Sequence, residues 1–309
     1  MVNLREWALP VYTIMMQMAV GGMLILWVIY AQAARRGQAA LATRISQDAV
    51  IVIFVTAAAA VVGSHFHLSR PLLSYLAFNN LGTSWLSREV LFTVLFVLLV
   101  GLLWLLQRYA VGSPKLRLAT GWAAVLMGLA TVYSMSQVYL LPPQVAWNSL
   151  TTPVAFFAAT ILLGGLAVSA LLLMNLYLLM LREQATVEVE GRVAVIRPAM
   201  RAIALVIVAA VITEIVNYVV QITMLAQGAS SARASVDLLL GLYGVLFAIR
   251  LALLGFGAAG SVAANLWQPK SGKPLTRMLI PVYLAFLLIL VSEVLGRFLF
   301  YAIHVRTGI

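Results

Sequence analysis

The sequence predicts an all-α, polytopic membrane protein with eight transmembrane helices and both termini on the outer, periplasmic side. Of its 309 residues, 63% are hydrophobic and 9% are charged, whereas about 25% are charged in ordinary soluble domains. The mean hydropathy is +1.03. So few charged side chains cannot cover the surface of a soluble domain of this length. The composition therefore excludes soluble enzymes, DNA-binding domains, disordered chains and fibrous proteins.

Eight apolar stretches reach or approach the roughly 20 residues that a helix needs to cross a bilayer. The first stretch ends at Ala31-Gln32-Ala33, a small-x-small pattern that resembles a signal-peptide cleavage site. We expect this stretch to be retained, because its apolar run is too long for a signal peptide and no basic segment precedes it. We predict one integral membrane domain over residues 1–309, with spans at about 8–31, 48–65, 90–106, 118–141, 153–181, 202–226, 236–264 and 278–303.

The net charge of +11 is explained by topology rather than by nucleic acid as a partner. Cytoplasmic loops of membrane proteins collect Lys and Arg. Loops one, three, five and seven hold thirteen of the twenty basic residues, and the opposite side holds five. This asymmetry predicts that the odd loops are cytoplasmic. The thirteen are Arg35, Arg36, Arg44, Arg108, Lys115, Arg117, Arg182, Arg192, Arg197, Arg201, Lys270, Lys273 and Arg277. Loop five (182–201) mixes these arginines with glutamates and is expected to be a solvated connector.

Ionisable side chains inside the predicted spans are costly in hydrocarbon and are therefore candidates for function. Glu214 lies in the sixth span and Arg250 in the seventh, where they could pair across neighbouring helices. Glu293 and Arg297 in the eighth span are four residues apart, so they share one helix face. These residues are either two structural ion pairs that fix helix packing, or one glutamate belongs to a proton path.

The segment from Ser64 to Glu89 joins the second and third spans on the predicted outer side. Pro71 and the glycine-containing turn before Ser84 prevent it from forming one regular helix. Ser84 or Ser87 could cap the third helix, and Glu89 would then lie in the first turns, where a negative charge is favoured. Helix capping is therefore one structural role for this segment.

A quinone site at the outer interface is the functional interpretation of the same segment. A neutral imidazole of His65 or His67 could accept a hydrogen bond and then a proton from a quinol. Glu89 could pass that proton to the aqueous side, and Arg70 could stabilise negative charge on the ring. The candidate catalytic residues are His67 and Glu89, and the candidate quinone-binding residues are His65, His67, Arg70 and Glu89. No metal ligands are predicted.

Two alternatives remain open from the residues alone. A haem-bearing cytochrome anchor could ligate one haem between His304 and either His65 or His67, although His65 and His67 would not share a face of a regular helix. A proton-coupled secondary transporter could use the buried Glu214 and Arg250, but no inverted pair of Gly- or Pro-broken helices accompanies them. The protein has no cysteine, so it cannot ligate an iron–sulfur cluster through thiolates or attach haem covalently.

Three stretches of the sequence resemble the membrane anchor subunit of dimethyl sulfoxide reductase-type molybdoenzymes. The first runs from Glu6-Trp7 to Pro10-Val11-Tyr12-Thr13, with Gln17 and Gly21-Gly22. In the second, His67-Leu68-Ser69-Arg70-Pro71 resembles a His-Leu-Gly-Ser-Pro motif, and Ser87-Arg88-Glu89 resembles the Ser-Asn-Glu that follows it. The third is Glu293 with Gly296-Arg297 and Phe300-Tyr301. Ser69 and Arg70 depart from the motif, and His65 is an additional histidine.

This resemblance implies an anchor in a three-subunit enzyme of a bacterial or archaeal cytoplasmic membrane. A molybdopterin subunit would carry out the substrate chemistry, an iron–sulfur subunit would carry electrons, and the anchor would oxidise menaquinol or another quinol. The resemblance assigns the quinol site to His67 and Glu89. It also implies that this protein holds neither haem nor an iron–sulfur cluster, in agreement with the histidine and cysteine counts.

Overall fold

The computed structural model describes residues 7–67, 71–181, 186–266 and 275–305, which are almost entirely helical. The α-helices in these residues are α1 (Ala8–Arg35), α2 (Ala39–Ser64), α3 (Trp85–Arg108), α4 (Pro114–Gln137), α5 (Thr151–Leu181), α6 (Thr186–Ala226), α7 (Ser230–Asp237), α8 (Gly244–Leu266) and α9 (Leu279–Ala302). Short 3-10 segments lie at His65–His67, Pro71–Asn80 and Leu275–Met278, and a π-helical turn lies at Leu238–Leu242.

Eight helices of the described residues, α1–α6, α8 and α9, are long and apolar enough to cross a membrane. This finding confirms the predicted number of spans and the all-α class. Because successive crossings run in opposite directions, the helix ends fall on two faces. We call the face at which α1 begins the N-terminal face. Helices α3, α5 and α8 also begin there, and α2, α4, α6 and α9 end there. The other face is called the opposite face.

Helix α6 extends well beyond its predicted span. Its 41 residues correspond to about 60 Å at 1.5 Å per residue, about twice the thickness of the hydrocarbon core. The expectation of a solvated connector over residues 182–201 is therefore wrong from Thr186 onward. Within this extension, Arg192 forms a 2.9 Å ion pair with Glu188 and a hydrogen bond to Asn175. Asn175 also donates to Asp48, so α2, α5 and α6 are tied together near the opposite face.

Helices α1 and α5 form the centre of the bundle. Their most apolar windows are 72% and 78% buried, whereas the windows of the other spans are 50% buried or less. Gly21 of α1 and Gly164 of α5 bring the two backbones into direct contact, because a Cβ atom on either glycine would collide with the backbone of the other helix. Small residues allow this close approach inside membranes, where van der Waals packing drives helix association.

The orientation of the bundle remains a prediction from the basic residues, and the absence of native cysteine makes it simple to test. We expect a membrane-impermeant thiol reagent to label the Asn148→Cys variant in intact cells, because Asn148 is exposed at the N-terminal face. The matched Gln38→Cys variant places a thiol at the opposite face, and it should react only after the cells are opened. The reverse labelling pattern would contradict the proposed orientation.

Candidate functional site

A cavity of about 510 Å³ lies at the N-terminal face, and we call it the aromatic cavity. Its walls come from the start of α1, the α4–α5 connection, the start of α8 and the end of α9. The size falls within the range of small-molecule sites, which combine apolar walls with a few polar groups. Its aromatic and histidine lining consists of Trp7, Tyr139, Trp147, Tyr243, Phe298, Tyr301 and His304.

Hydrogen bonds hold the α4–α5 connection, which contributes Tyr139 and Trp147 to the cavity lining. The indole Nε1 of Trp147 donates to the Phe300 carbonyl at 2.7 Å, and the two rings stack with centroids 5.1 Å apart. The amide of Gln221 in α6 donates to the Ala146 carbonyl at 3.1 Å. These bonds join the connection to α6 and α9. Two helices therefore hold this wall of the cavity in place.

A pair of tyrosines lines the aromatic cavity. Tyr139 and Tyr301 are joined by a hydrogen bond between their phenols. Tyr139 also makes edge contacts with Phe300 and Trp147, with centroid distances of 5.1 and 5.5 Å. A phenol can donate and accept simultaneously. The pair can therefore form a hydrogen-bonded connection between the cavity and more deeply buried groups.

Glu89 is one of those buried groups. It is 7% exposed, near the start of α3, and its carboxyl group interacts with the phenol of Tyr12 from α1. The Tyr12 hydroxyl also lies 3.1 Å from the Thr93 hydroxyl. The Glu89 charge acts on Tyr139 and Tyr301, which connects this carboxyl group electrostatically to the cavity.

The capping interpretation of the α3 start is confirmed for serine. The Ser84 hydroxyl accepts a hydrogen bond from the Ser87 amide at 3.3 Å. Because the cap is supplied by Ser84, and Glu89 is directed into the bundle toward Tyr12, the capping role does not account for Glu89.

The described part of the predicted histidine segment does not line the aromatic cavity. His65 ends α2, and its Nδ1 lies 2.8 Å from the Val61 carbonyl, which can only accept. In a neutral ring the proton is therefore on Nδ1, and Nε2 is free to act as a base. His65 does not line the aromatic cavity. The backbone of His67 continues this 3-10 turn, which contacts α1, while the His67 side chain and all of Arg70 lie outside the described residues.

His304 lines the aromatic cavity, and the sequence interpretation had considered it only as a haem ligand. Its ring stacks on Trp147 with centroids 5.0 Å apart. Its Nδ1 lies 2.5 Å from the Tyr301 carbonyl, so the neutral ring has Nε2 as an unprotonated acceptor. Nothing in the local sequence distinguishes His304, because Trp147, on which its ring stacks, is distant in the sequence.

The predicted ion pairs form one three-residue cluster rather than two pairs. Arg250 contacts Glu214 at 3.2 Å, as expected, and it also contacts Glu293 at 3.4 Å through the same Nη2 atom. The predicted pairing of Glu293 with Arg297 was wrong: the guanidinium of Arg297 donates instead to the Gln17 side chain of α1 at 2.8 Å.

Arg297 lies between this buried cluster and the aromatic cavity. Its guanidinium packs over the Phe156 ring at 4.0 Å. Gln17, which accepts its hydrogen bond, donates in turn to the Phe156 carbonyl at 2.8 Å. The Arg297 charge acts on Glu214 on one side and on the phenols of Tyr139 and Tyr301 on the other.

Comparisons with known proteins agree over nearly the whole sequence. Residues 1–303 match the family of the DMSO reductase anchor subunit (DmsC). The protein is 30% identical to the C subunit of the anaerobic dimethyl sulfoxide reductase of Escherichia coli over 314 residues, covering 98% of this protein and 96% of that one. It is 27% identical to the subunit of the same name from Haemophilus influenzae, covering 99% and 97%. A second Escherichia coli relative, the anaerobic dimethyl sulfoxide reductase subunit YnfH, is 25% identical, covering 54% of this protein and 58% of the relative.

A match of this length to an anchor family favours an anchor over the proton-coupled transporter considered above. It also agrees with the eight apolar helices of the described residues. The chain is a multi-pass membrane protein that belongs to the DMSO reductase anchor subunit family.

Proposed function

We propose that this protein is the quinol-oxidising anchor of a molybdopterin and iron–sulfur oxidoreductase complex in a bacterial or archaeal cytoplasmic membrane. The observation that carries the proposal is the aromatic cavity, which is lined by a hydrogen-bonded tyrosine pair and lies in the same half of the bundle as the buried Glu89. Family membership supports the anchor role. The names of the relatives refer to dimethyl sulfoxide reductase. We therefore propose that the complex reduces a related terminal electron acceptor.

The residues of the aromatic cavity fit the ring of a quinol. Flat aromatic walls favour a planar, apolar ring, and the cavity volume suits a small-molecule head group. Polar atoms are few and concentrated: the tyrosine hydroxyls and Nε2 of His304. A bound quinol supplies two electrons and two protons, so its site requires hydrogen-bond acceptors and a route for protons.

The proton route that we propose uses this protein's own side chains. Nε2 of His304 accepts a hydrogen bond from one quinol hydroxyl at the mouth of the cavity. Tyr301 accepts a hydrogen bond from the other hydroxyl and donates to Tyr139, or the reverse. The phenol pair then passes a proton toward Glu89. A carboxyl group buried beside tyrosines can hold this proton until it is released at the aqueous surface.

The family resemblance adds His67 to this site as a further base, with His65 and Arg70 as additional quinone-binding residues. Its support is positional. The 3-10 turn that carries His65 and His67 contacts α1, and α1 also carries Tyr12, the partner of Glu89. In this proposal His67 accepts a proton at the α1 side of the site, and Glu89 is shared between the two sides.

Electrons must leave through partner subunits, because a protein without cysteine cannot ligate an iron–sulfur cluster through thiolates. We propose that an iron–sulfur subunit docks at the N-terminal face, close to the aromatic cavity, and that a molybdopterin subunit binds to it. Menaquinol is the proposed quinol, no haem is assigned to this protein, and nucleic acid is not a proposed partner.

The Tyr301→Phe variant tests the phenol pair, because it retains the ring and removes the hydroxyl. We expect quinol-dependent reduction by the complex to fall at least ~10-fold, since positioned proton-transfer groups typically contribute ~10²-fold or more. Tyr283→Phe, in the same helix but outside the cavity lining, is the matched control. Reduction driven by a soluble dye should be unchanged in both variants. Normal quinol turnover in Tyr301→Phe would contradict the proposed route.

The His67→Ala variant tests the residue that the family resemblance assigns. We expect it to abolish quinol-dependent reduction and to leave assembly of the complex intact, because the substitution removes the base but keeps the helical turn. Phe66→Ala, at the neighbouring exposed position, is the control for damage to the turn. Co-purification of the subunits measures assembly, and stopped-flow oxidation of a menaquinol analogue measures function. Full turnover in His67→Ala would remove His67 from the site.

A further inference from the structure

The cluster of Glu214, Arg250 and Glu293 lies inside the bundle and has no role in the quinol route above. The three side chains are between 2% and 6% exposed. The Arg250 guanidinium holds both carboxyl groups with one nitrogen, Nη2. Its Nε donates to the Ser292 carbonyl at 3.1 Å, and the Ser292 hydroxyl donates to the Arg250 carbonyl at 3.0 Å. Helices α6, α8 and α9 therefore all contribute to one buried charged site.

The two carboxyl groups of this site both contact the same nitrogen of Arg250, at 3.2 and 3.4 Å, so they lie close to each other. Ionised carboxylates only accept hydrogen bonds. A hydrogen bond between them consequently requires a proton on one of the two. Two negative charges at this separation also repel strongly where water is excluded. Both arguments lead to a single proton held between Glu214 and Glu293.

Charge balance across the buried network leads to the same result. The half of the bundle at the N-terminal face contains three buried acidic groups and two buried cations among the described residues. They are Glu89, Glu214, Glu293, Arg250 and Arg297. One proton is required for these five groups to be neutral together. Among the described residues, Arg250 also lies over the uncharged Tyr218 ring at 4.7 Å.

We propose that Glu214 and Glu293 form a shared-proton dyad, a proton-binding site within the membrane-spanning part of the bundle, held in place by Arg250. The fold makes room for this arrangement at Gly296. A Cβ atom at Gly296 would collide with the Arg250 guanidinium, so glycine allows the guanidinium to lie against α9. The partnerless Nη1 of Arg250, among the described residues, leaves a donor for a buried water beside the dyad.

The dyad is coupled to the aromatic cavity through Arg297, which lies one helical turn after Glu293 and one turn before Tyr301 on the same face of α9. This step rests on the proposed function. While the dyad retains its proton, arrival of a quinol proton at Glu89 gives the network a net positive charge. That charge repels the new proton and favours its release to the aqueous N-terminal face. The dyad thereby keeps Glu89 available for the next turnover.

Infrared spectroscopy of the full-length protein in lipid nanodiscs tests the dyad directly. In the protein with ¹³C-labelled glutamate and an unchanged Glu89, whose charge enters the balance above, we expect a carbonyl stretch from one protonated carboxyl group at neutral pH. Either Glu214→Gln or Glu293→Gln should abolish this band, because the remaining carboxylate then forms a simple ion pair with Arg250. Glu188→Gln, at the opposite face, should leave the band unchanged.

Several outcomes would overturn the proposal. Absence of the protonated band before either Glu214 or Glu293 is substituted would show that both carboxylates are ionised. This outcome does not depend on whether a variant folds. Persistence of the band in both single variants would show that each group holds a proton of its own. The coupling is tested by adding a menaquinol analogue, which should shift the band. If the band is present but does not shift, the dyad stands and its link to the quinol site fails. If Tyr301→Phe retains quinol turnover while the band is present, the proposed function fails and the dyad stands.

Discussion

The hydrogen bond from Arg297 to Gln17 is the interaction on which the half of the bundle at the N-terminal face depends. It joins α9 to α1, and Gln17 extends it to the Phe156 carbonyl of α5. A buried guanidinium is tolerated in a bundle of apolar helices only when its charge and donors are satisfied. Arg297 meets that requirement with an amide oxygen and aromatic faces. The three helices that it joins hold Tyr12 in α1, Phe156 in α5, whose ring contacts Tyr139, and Tyr301 in α9.

This arrangement divides the bundle into regions with separate tasks. The contact of Gly21 with Gly164 sets the distance between the two central helices. The polar ties of Asn175 fix the opposite face. The aromatic cavity lies at the other end, where bonds from Trp147 and Gln221 hold its walls. Between cavity and core, charged groups are arranged so that each one acts on the next. The proposed site for proton release therefore lies where helices of the bundle are joined by side-chain hydrogen bonds.

Composition and spacing could predict the fold, because hydrocarbon imposes a length and an apolar composition on each span. The number of spans was predictable for this reason, and the Ser84 cap was predictable from the polar turn before α3. Glu89, a candidate site residue from the sequence, is buried in the structure, and its role stays a prediction. The length of helix α6 was underestimated because its first part carries charges. That part is stabilised by pairs such as Arg192 with Glu188 and by burial of Ile196 and Met200 in the core.

The aromatic cavity was not predictable, because it is formed by segments far apart in sequence. Tyr139 and Tyr301 are 162 positions apart, and Trp and Tyr near helix ends are common in membrane proteins for reasons unrelated to binding. The partner of Arg297 was likewise hidden: helical spacing favoured Glu293, whereas packing brings Gln17 from the first helix. Local periodicity identifies which residues share a helix face. Only the packing of the helices determines which residues of other helices contact that face.

The central claim is that a quinol ring binds in the aromatic cavity at the N-terminal face. Photolabelling of the assembled complex with an azido-menaquinone analogue, followed by peptide mapping, tests it most directly. The account predicts label in the segments 139–147 and 298–304, with loss of label when unmodified menaquinone competes. Competed label confined to the smaller cavity at the opposite face, lined by Arg35, Lys115 and Trp122, would contradict it.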